Sequence, residues 1–104
     1  MIVIFSSMSI DPAQRPGLDA EMAEWLAKTA HDRNGASIYK YMTDSADPSK
    51  VYVFQSWPDD DSFATWTQQP AFQELLEKLR LNESLTDVKA VIFEGCTNTR
   101  SGPL

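Results

Sequence analysis

The chain has 104 residues, enough for one domain with one hydrophobic core. Fifteen acidic residues against nine basic ones give a formal net charge of −6, which argues against nucleic-acid or anionic-membrane partners because both need clustered cations. Apolar residues 2–5 are too few for a signal sequence or a membrane span, and the single cysteine, Cys96, rules out an internal disulfide framework. We therefore expect a cytoplasmic protein.

The first half of the chain predicts a strand, a helix and a second strand. Residues 2–10 begin with a β-branched and aromatic run that is typical of a strand. From Leu18 onward, apolar residues recur at helical spacing, and the predicted helix ends at Gly35, since glycine suits the left-handed position after the last turn. Residues 36–43, rich in isoleucine and tyrosine, then predict the second strand.

The second half predicts two more strands around a helical region. A polar loop leads to a strand over 51–57, and the acidic run that follows it suits a helix start because of the helix dipole. We expect one short helix over 60–68 and another that begins at Pro70. Residues 88–94 predict the last strand.

The predicted order is therefore β-α-β-β-α-β. This order is the split βαβ pattern of ferredoxin-like α+β folds, with a four-stranded antiparallel sheet and both helices on one face. We assign residues 1–96 to this domain and residues 97–104 to a polar C-terminal tail.

The strands carry apolar residues on both faces of the predicted sheet. Side chains alternate between the two faces along a strand, so adjacent apolar residues occupy both of them: Ile4 and Phe5, Val53 and Phe54, Val91 and Ile92. No further element remains to cover the second face. We therefore expect a homodimer with its sheets packed face to face, and the alternative is a monomer with some exposed aliphatic residues.

The middle of the chain resembles the antibiotic biosynthesis monooxygenase (ABM) family of dimeric α/β barrels. The resemblance lies in a strand that ends in tryptophan, a short helix with an aromatic residue facing inward, and an Ala-Phe step into a longer helix: residues 53–57, Phe63, Trp66 and residues 70–76. It implies a dimeric α/β barrel. The family includes cofactor-free oxygenases of phenolic or quinone-like substrates, haem-degrading oxygenases, isomerases and proteins with no known activity, so the fold alone does not choose among them.

Trp66 lies where the family places an aromatic residue or a histidine that faces the cavity between helices and sheet. A tryptophan there offers a flat apolar wall and one N–H donor for a planar substrate. The alternative is an aromatic residue of the core. We place Phe63, Phe72 and Leu76 beside Trp66 in the predicted substrate-binding set.

Strand residues supply the polar members of that set. We select Ser7, Tyr39 and Gln55 because each could direct a polar atom into the cavity. Tyr41 shares a strand face with Tyr39, so the sequence does not decide which tyrosine faces the cavity. The catalytic residues stay unassigned.

We expect no haem, metal or other cofactor. In the haem-degrading branch of the family, the resemblance places a proximal histidine at the position of Leu76 and an asparagine near Ser6 or Ser7, and leucine has no lone pair for iron. The sole histidine, His31, is a poor basis for a metal site. The sequence also contains no Gly-rich phosphate loop and no C-x-x-C motif.

The resemblance thus implies a cofactor-independent monooxygenase that acts on an aromatic, quinol or polyketide-like substrate. The substrate itself would supply the electrons to O₂, and the protein would contribute orientation and exclusion of water. The alternative is a non-catalytic, small-ligand-binding or stress-associated dimer that uses the same cleft.

Overall fold

The computed structural model describes residues 1–94, which form the predicted ferredoxin-like α+β fold. The predicted C-terminal tail, residues 97–104, and the last two residues of the predicted domain, 95–96, lie outside the described residues. The elements in chain order are β1 (Ile2–Ile10), α1 (Arg15–Lys28), a short 3-10 helix (Ala30–Arg33), β2 (Ile38–Thr43), β3 (Lys50–Trp57), α2 (Asp60–Thr67), α3 (Pro70–Leu81) and β4 (Leu85–Glu94).

The four strands form one antiparallel sheet in the order β2-β3-β1-β4. Strand register places Ile4 of β1 opposite Gln55 of β3, which in turn lies opposite Tyr39 of β2. These residues belong to the inner face of the sheet, which packs against the helices. The core contains buried side chains from that face and from all three α-helices: Ile4, Met8, Val51, Val53, Leu18, Met22, Trp25, Trp66 and Leu75.

Helix α1 ends earlier than the apolar spacing predicts. Thr29, rather than Gly35, is its C-cap, and the Thr29 hydroxyl donates to the backbone oxygen of Trp25 over 2.6 Å. The Arg33 guanidinium then donates to the backbone oxygen of Leu26 over 2.8 Å. A side chain further along the chain thus satisfies a carbonyl of the last helical turn, and the chain continues as a 3-10 helix.

Helices α2 and α3 begin where the sequence predicts. The Asp59 carboxylate accepts a hydrogen bond from the backbone N–H of Ser62 over 2.7 Å and so caps α2. Pro70 opens α3, where its missing N–H costs nothing. Strand β4 begins three residues before the predicted start, because a register irregularity carries the pairing past Asp87, whose φ is 50°.

The outer face of the sheet has an apolar patch around Phe5 and is uncovered by any described element. Phe5 lies at its centre, opposite Phe54 on β3 and Val91 on β4, and stacks on Tyr52 with 5.6 Å between ring centroids. Phe5 is 37% exposed and Val91 is 50% exposed. Among residues 1–94, no helix is long and apolar enough to cross a membrane.

Candidate functional site

A cavity of about 270 Å³ lies between the inner face of the sheet and helices α2 and α3. The central strands supply its floor: Ile4, Ser6, Met8, Val53 and Gln55. The helices supply its roof: Phe63, Phe72, Leu75, Leu76 and Leu79. Its two sides come from the edge strands, with Tyr39 on β2 and four residues on β4: Val88, Lys89, Ala90 and Ile92. Most of this lining is hydrocarbon, as is usual for sites that bind small organic molecules.

The cavity is open toward β4. Val88 and Ile92 line it and are 58% and 55% exposed, because the helices cover the other three strands and leave this edge strand uncovered. Leu76 on α3 faces the same opening and is 45% exposed. Leu76 therefore forms part of the cavity mouth.

Trp66 lies at the centre of an aromatic cluster beside the cavity, which we define as Trp25, Tyr39, Trp57, Trp66 and Phe72. The four other rings have their centroids 5.8 to 6.1 Å from that of Trp66, and only the Trp57 ring is nearly parallel to it. Trp66 is 1% exposed and is not among the described residues that line the cavity. Its indole N–H is inaccessible to solvent and has no hydrogen-bond partner within residues 1–94.

Gln55 is the most deeply buried polar residue of the cavity floor, with 8% exposure. Its side-chain oxygen accepts a hydrogen bond from the Trp57 indole N–H over 2.8 Å. An indole nitrogen can only donate, so the atom that meets it must be the amide oxygen. The amide nitrogen of Gln55 is left for the cavity.

The two tyrosines of β2 differ in their contacts, although both lie on the inner face. The Tyr41 hydroxyl donates to the Asp19 carboxylate over 2.8 Å and is thereby bound to α1. The Tyr39 hydroxyl has no hydrogen-bond partner within the described part of the chain, and Tyr39 lines the cavity. The sequence does not decide which tyrosine faces the cavity, and in the structure it is Tyr39.

Ser6, rather than Ser7, lines the cavity. Ser7 lies on the outer face, opposite Tyr52, because side chains alternate along β1. The buried residues Ile4 and Met8 have the same parity as Ser6, so the alternation of β1 already carried the signal. Of the predicted substrate-binding set, the structure brings together Tyr39, Gln55, Phe63, Phe72 and Leu76 at one cavity, and it places Ser7 and Trp66 elsewhere.

Arg33 is a residue that sequence reasoning missed. Its guanidinium carbon lies 5.0 Å from the Trp25 ring centroid and 4.9 Å from that of Tyr39, within the range of cation–π attraction. Burial raises the pKa of Tyr39 to about 12, and the nearby Arg33 charge opposes that rise. Tyr39 is therefore a neutral hydrogen-bonding group near neutral pH and not a base.

A second, polar cleft of about 310 Å³ lies on the other side of the aromatic cluster. Asp32, Asn34, Asp59 and Asp61 are among the residues that line it. Trp66 also borders this cleft, but with very little of its surface, since it is almost fully buried. Within residues 1–94, no group of three His, Cys, Asp or Glu side chains is placed to hold a metal ion.

The arrangement of sheet, helices and cavity agrees with a comparison against protein families. The model of the antibiotic biosynthesis monooxygenase family matches residues 1–78, three quarters of the chain. The chain belongs to the antibiotic biosynthesis monooxygenase family. The matched region contains every predicted site residue and ends within α3, before β4 begins. No curated protein is similar enough to this ABM chain to be counted as a relative.

Solved structures show the same fold. A candidate antibiotic biosynthesis monooxygenase from Deinococcus radiodurans superposes with a TM-score of 0.79 at 16% identity, over 99% of this chain and 100% of that one. A conserved protein from Methanosarcina mazei gives 0.72 at 15% identity, over 89% and 91%. A protein from Pseudomonas aeruginosa gives 0.70 at 20% identity, over 88% and 90%. At these identities the likeness establishes the fold alone.

The residues of the cavity do not fit the haem-degrading branch of the family. Leu76, at the position that the resemblance assigns to the proximal histidine, lies at the mouth and offers only hydrocarbon. The strand positions near which that branch has an asparagine carry Ser6 and Ser7, and of these only Ser6 lines the cavity, where it offers a single hydroxyl. We derive no haem chemistry for this chain.

Proposed function

We propose that this ABM protein is a cofactor-independent monooxygenase that acts on a small planar phenol, quinol or polyketide-like aromatic molecule. One observation carries the proposal: on the inner face, the apolar cavity under α2 and α3 contains the Ser6 hydroxyl, the Tyr39 hydroxyl and the amide nitrogen of Gln55, and none of these three groups has a hydrogen-bond partner among the described residues. Aromatic walls with a few polar groups are suited to holding and orienting a hydroxylated ring. A volume of about 270 Å³ favours one or two fused rings.

The proposed reaction converts a phenol and O₂ into a quinone and water. One oxygen atom forms a bond to a ring carbon, and the other leaves as water with the phenolic proton and the hydrogen of that carbon. The phenol loses four electrons and O₂ gains four, so no other reductant is needed. The chain's own contribution is to exclude water and to hold the oxygen of the phenol by hydrogen bonds from Gln55 and Tyr39.

A non-catalytic ligand-binding role is the second candidate, and one observation favours it. Among the described residues that line the cavity there is no histidine, aspartate or glutamate, so no ordinary general base is present at neutral pH. A substrate would then have to ionise with the help of hydrogen bonds alone. Measurable turnover of a substrate would distinguish the monooxygenase from the ligand-binding protein.

Blocking the mouth of the cavity is expected to lower the catalytic efficiency. Oxygen uptake is measured with a panel of substituted hydroquinones and anthrones, and we expect Leu76→Trp to lower kcat/KM at least about tenfold because the larger side chain fills the opening. Leu81→Trp is the matched control, since Leu81 lies on the same helix, is 63% exposed and does not line the cavity. Absence of oxygen uptake by the wild-type protein across the panel would favour the ligand-binding role.

We also propose that the protein is a cytoplasmic homodimer. The uncovered apolar outer face around Phe5 supports the dimer, because contiguous apolar patches of this kind are rare on the surface of monomers. The single cysteine supports a reducing compartment. Packing the two outer faces together leaves both inner-face cavities intact.

A further inference from the structure

The cavity floor contains one side-chain amide, that of Gln55, whose orientation is fixed by a hydrogen bond from Trp57. A free glutamine side chain can turn over and present either its oxygen or its nitrogen to a ligand. Gln55 cannot do so without loss, because its oxygen accepts from the Trp57 indole N–H over 2.8 Å. Both side chains lie on the inner face of β3, two residues apart, and both are buried, with 8% and 1% exposure.

The amide nitrogen of Gln55 faces the cavity. Among residues 1–94, two side-chain nitrogens are inaccessible to solvent and have no hydrogen-bond partner, and they belong to Trp25 and Trp66. The Gln55 nitrogen is not one of them, yet it has no hydrogen bond to a described residue. Since Gln55 lines the cavity, its unused N–H groups are open to a bound molecule.

We propose that Trp57 is a positioning residue that makes Gln55 a one-way donor, so that the cavity selects ligands with an acceptor oxygen. The ligand class is a small fused-ring molecule bearing a carbonyl or phenolate oxygen. A ligand of the same size that can only donate leaves the buried N–H groups unpaired and binds more weakly. This inference rests on the binding part of the proposed function and not on its chemistry.

The test compares two probes of similar size and opposite polarity. 1-Indanone carries one acceptor oxygen and no donor, whereas indole carries one donor N–H and no comparable acceptor. We expect the wild-type protein to bind 1-indanone about three- to tenfold more tightly than indole, as measured by NMR titration of both probes, because a neutral hydrogen bond contributes on that scale.

The variants separate a positioning role from a structural one. Gln55→Met keeps the volume and removes the donor, so the preference between the probes should vanish. Trp57→Phe keeps most of the ring and removes the indole N–H, so Gln55 can turn over; affinity for indole should then rise relative to 1-indanone. Phe63→Leu is the control, since it alters the apolar wall and should shift both dissociation constants while leaving their ratio unchanged.

Three results would overturn the inference. The first is an unchanged ratio of affinities in Gln55→Met, a variant that leaves the Trp57 ring in place. The second is equal affinity of the wild type for the two probes, and the third is binding of neither probe at millimolar concentration. Lack of oxygen uptake, by contrast, would count only against the monooxygenase proposal, because the ratio of affinities is measured without turnover.

Discussion

Replacing Trp66 with alanine is expected to lower the free energy of unfolding by about 3–5 kcal/mol, the usual cost of deleting a buried large aromatic side chain. Trp66 is 1% exposed and its ring contacts four others, so its removal leaves a void that the surrounding rings cannot fill. For a domain of this size, each kcal/mol shifts Tm by about 4–8 °C. Thermal unfolding followed by circular dichroism should show a drop of more than about 10 °C, or a chain that does not fold.

The companion variant separates the structural role of Trp66 from a role in binding. Trp66→Phe retains a ring in the cluster, so it should cost less stability than the alanine variant. It should also bind 1-indanone within about twofold of the wild type, since Trp66 is not among the described cavity residues. A loss of less than about 1 kcal/mol in Trp66→Ala, or a large loss of affinity in a folded Trp66→Phe, would contradict this assignment.

Introducing a charge at the centre of the outer face is expected to break the proposed dimer. Phe5 pairs with Phe54 and Val91 on either side, so Phe5→Glu would leave an unpaired carboxylate in an apolar interface. Such a charge costs roughly 3–5 kcal/mol, and the dimer dissociation constant should rise at least about a hundredfold. Sedimentation equilibrium over a range of protein concentrations measures the change.

The matched control for the dimer places the same charge elsewhere. Leu81 lies at the end of α3, away from the outer face, and is 63% exposed. The Leu81→Glu variant should therefore leave the dissociation constant of the dimer unchanged. A wild-type protein that sediments as a monomer at micromolar concentration would contradict the proposed dimer. So would a Phe5→Glu variant that associates as well as the wild type.

The fold could be predicted from the sequence because its signals are local and repeated. The strand period places Ile4 and Phe5 on opposite faces of β1, and the structure confirms this through their opposite neighbours and their unequal burial. Pro70 predicts the start of α3 for a purely local reason. The end of α1 could not be predicted in this way, because it depends on a contact from Arg33 back to Leu26.

The site was harder to predict than the fold, because it depends on which polar side chains have no hydrogen-bond partner once the chain has folded. Tyr39 and Tyr41 are equivalent by strand parity, and only the hydrogen bond from Tyr41 to Asp19 on another element separates them. The donor role of Gln55 likewise follows from its bond to Trp57, which spacing alone does not reveal. The aromatic character of Trp66 was readable in the sequence, but its position behind the cavity wall was not.

The most direct test of the account asks where a ligand binds. In ¹⁵N-labelled protein titrated with 1-indanone, we expect the largest chemical-shift changes at the side-chain amide of Gln55, assigned by its absence in Gln55→Met, and at the backbone amides of Ser6 and Leu75. The amides of Asn34 and Ser62, which line the polar cleft, should not move. Shifts confined to the polar cleft, or an unmoved Gln55 amide at saturation, would contradict the assignment of the helix–sheet cavity as the binding site.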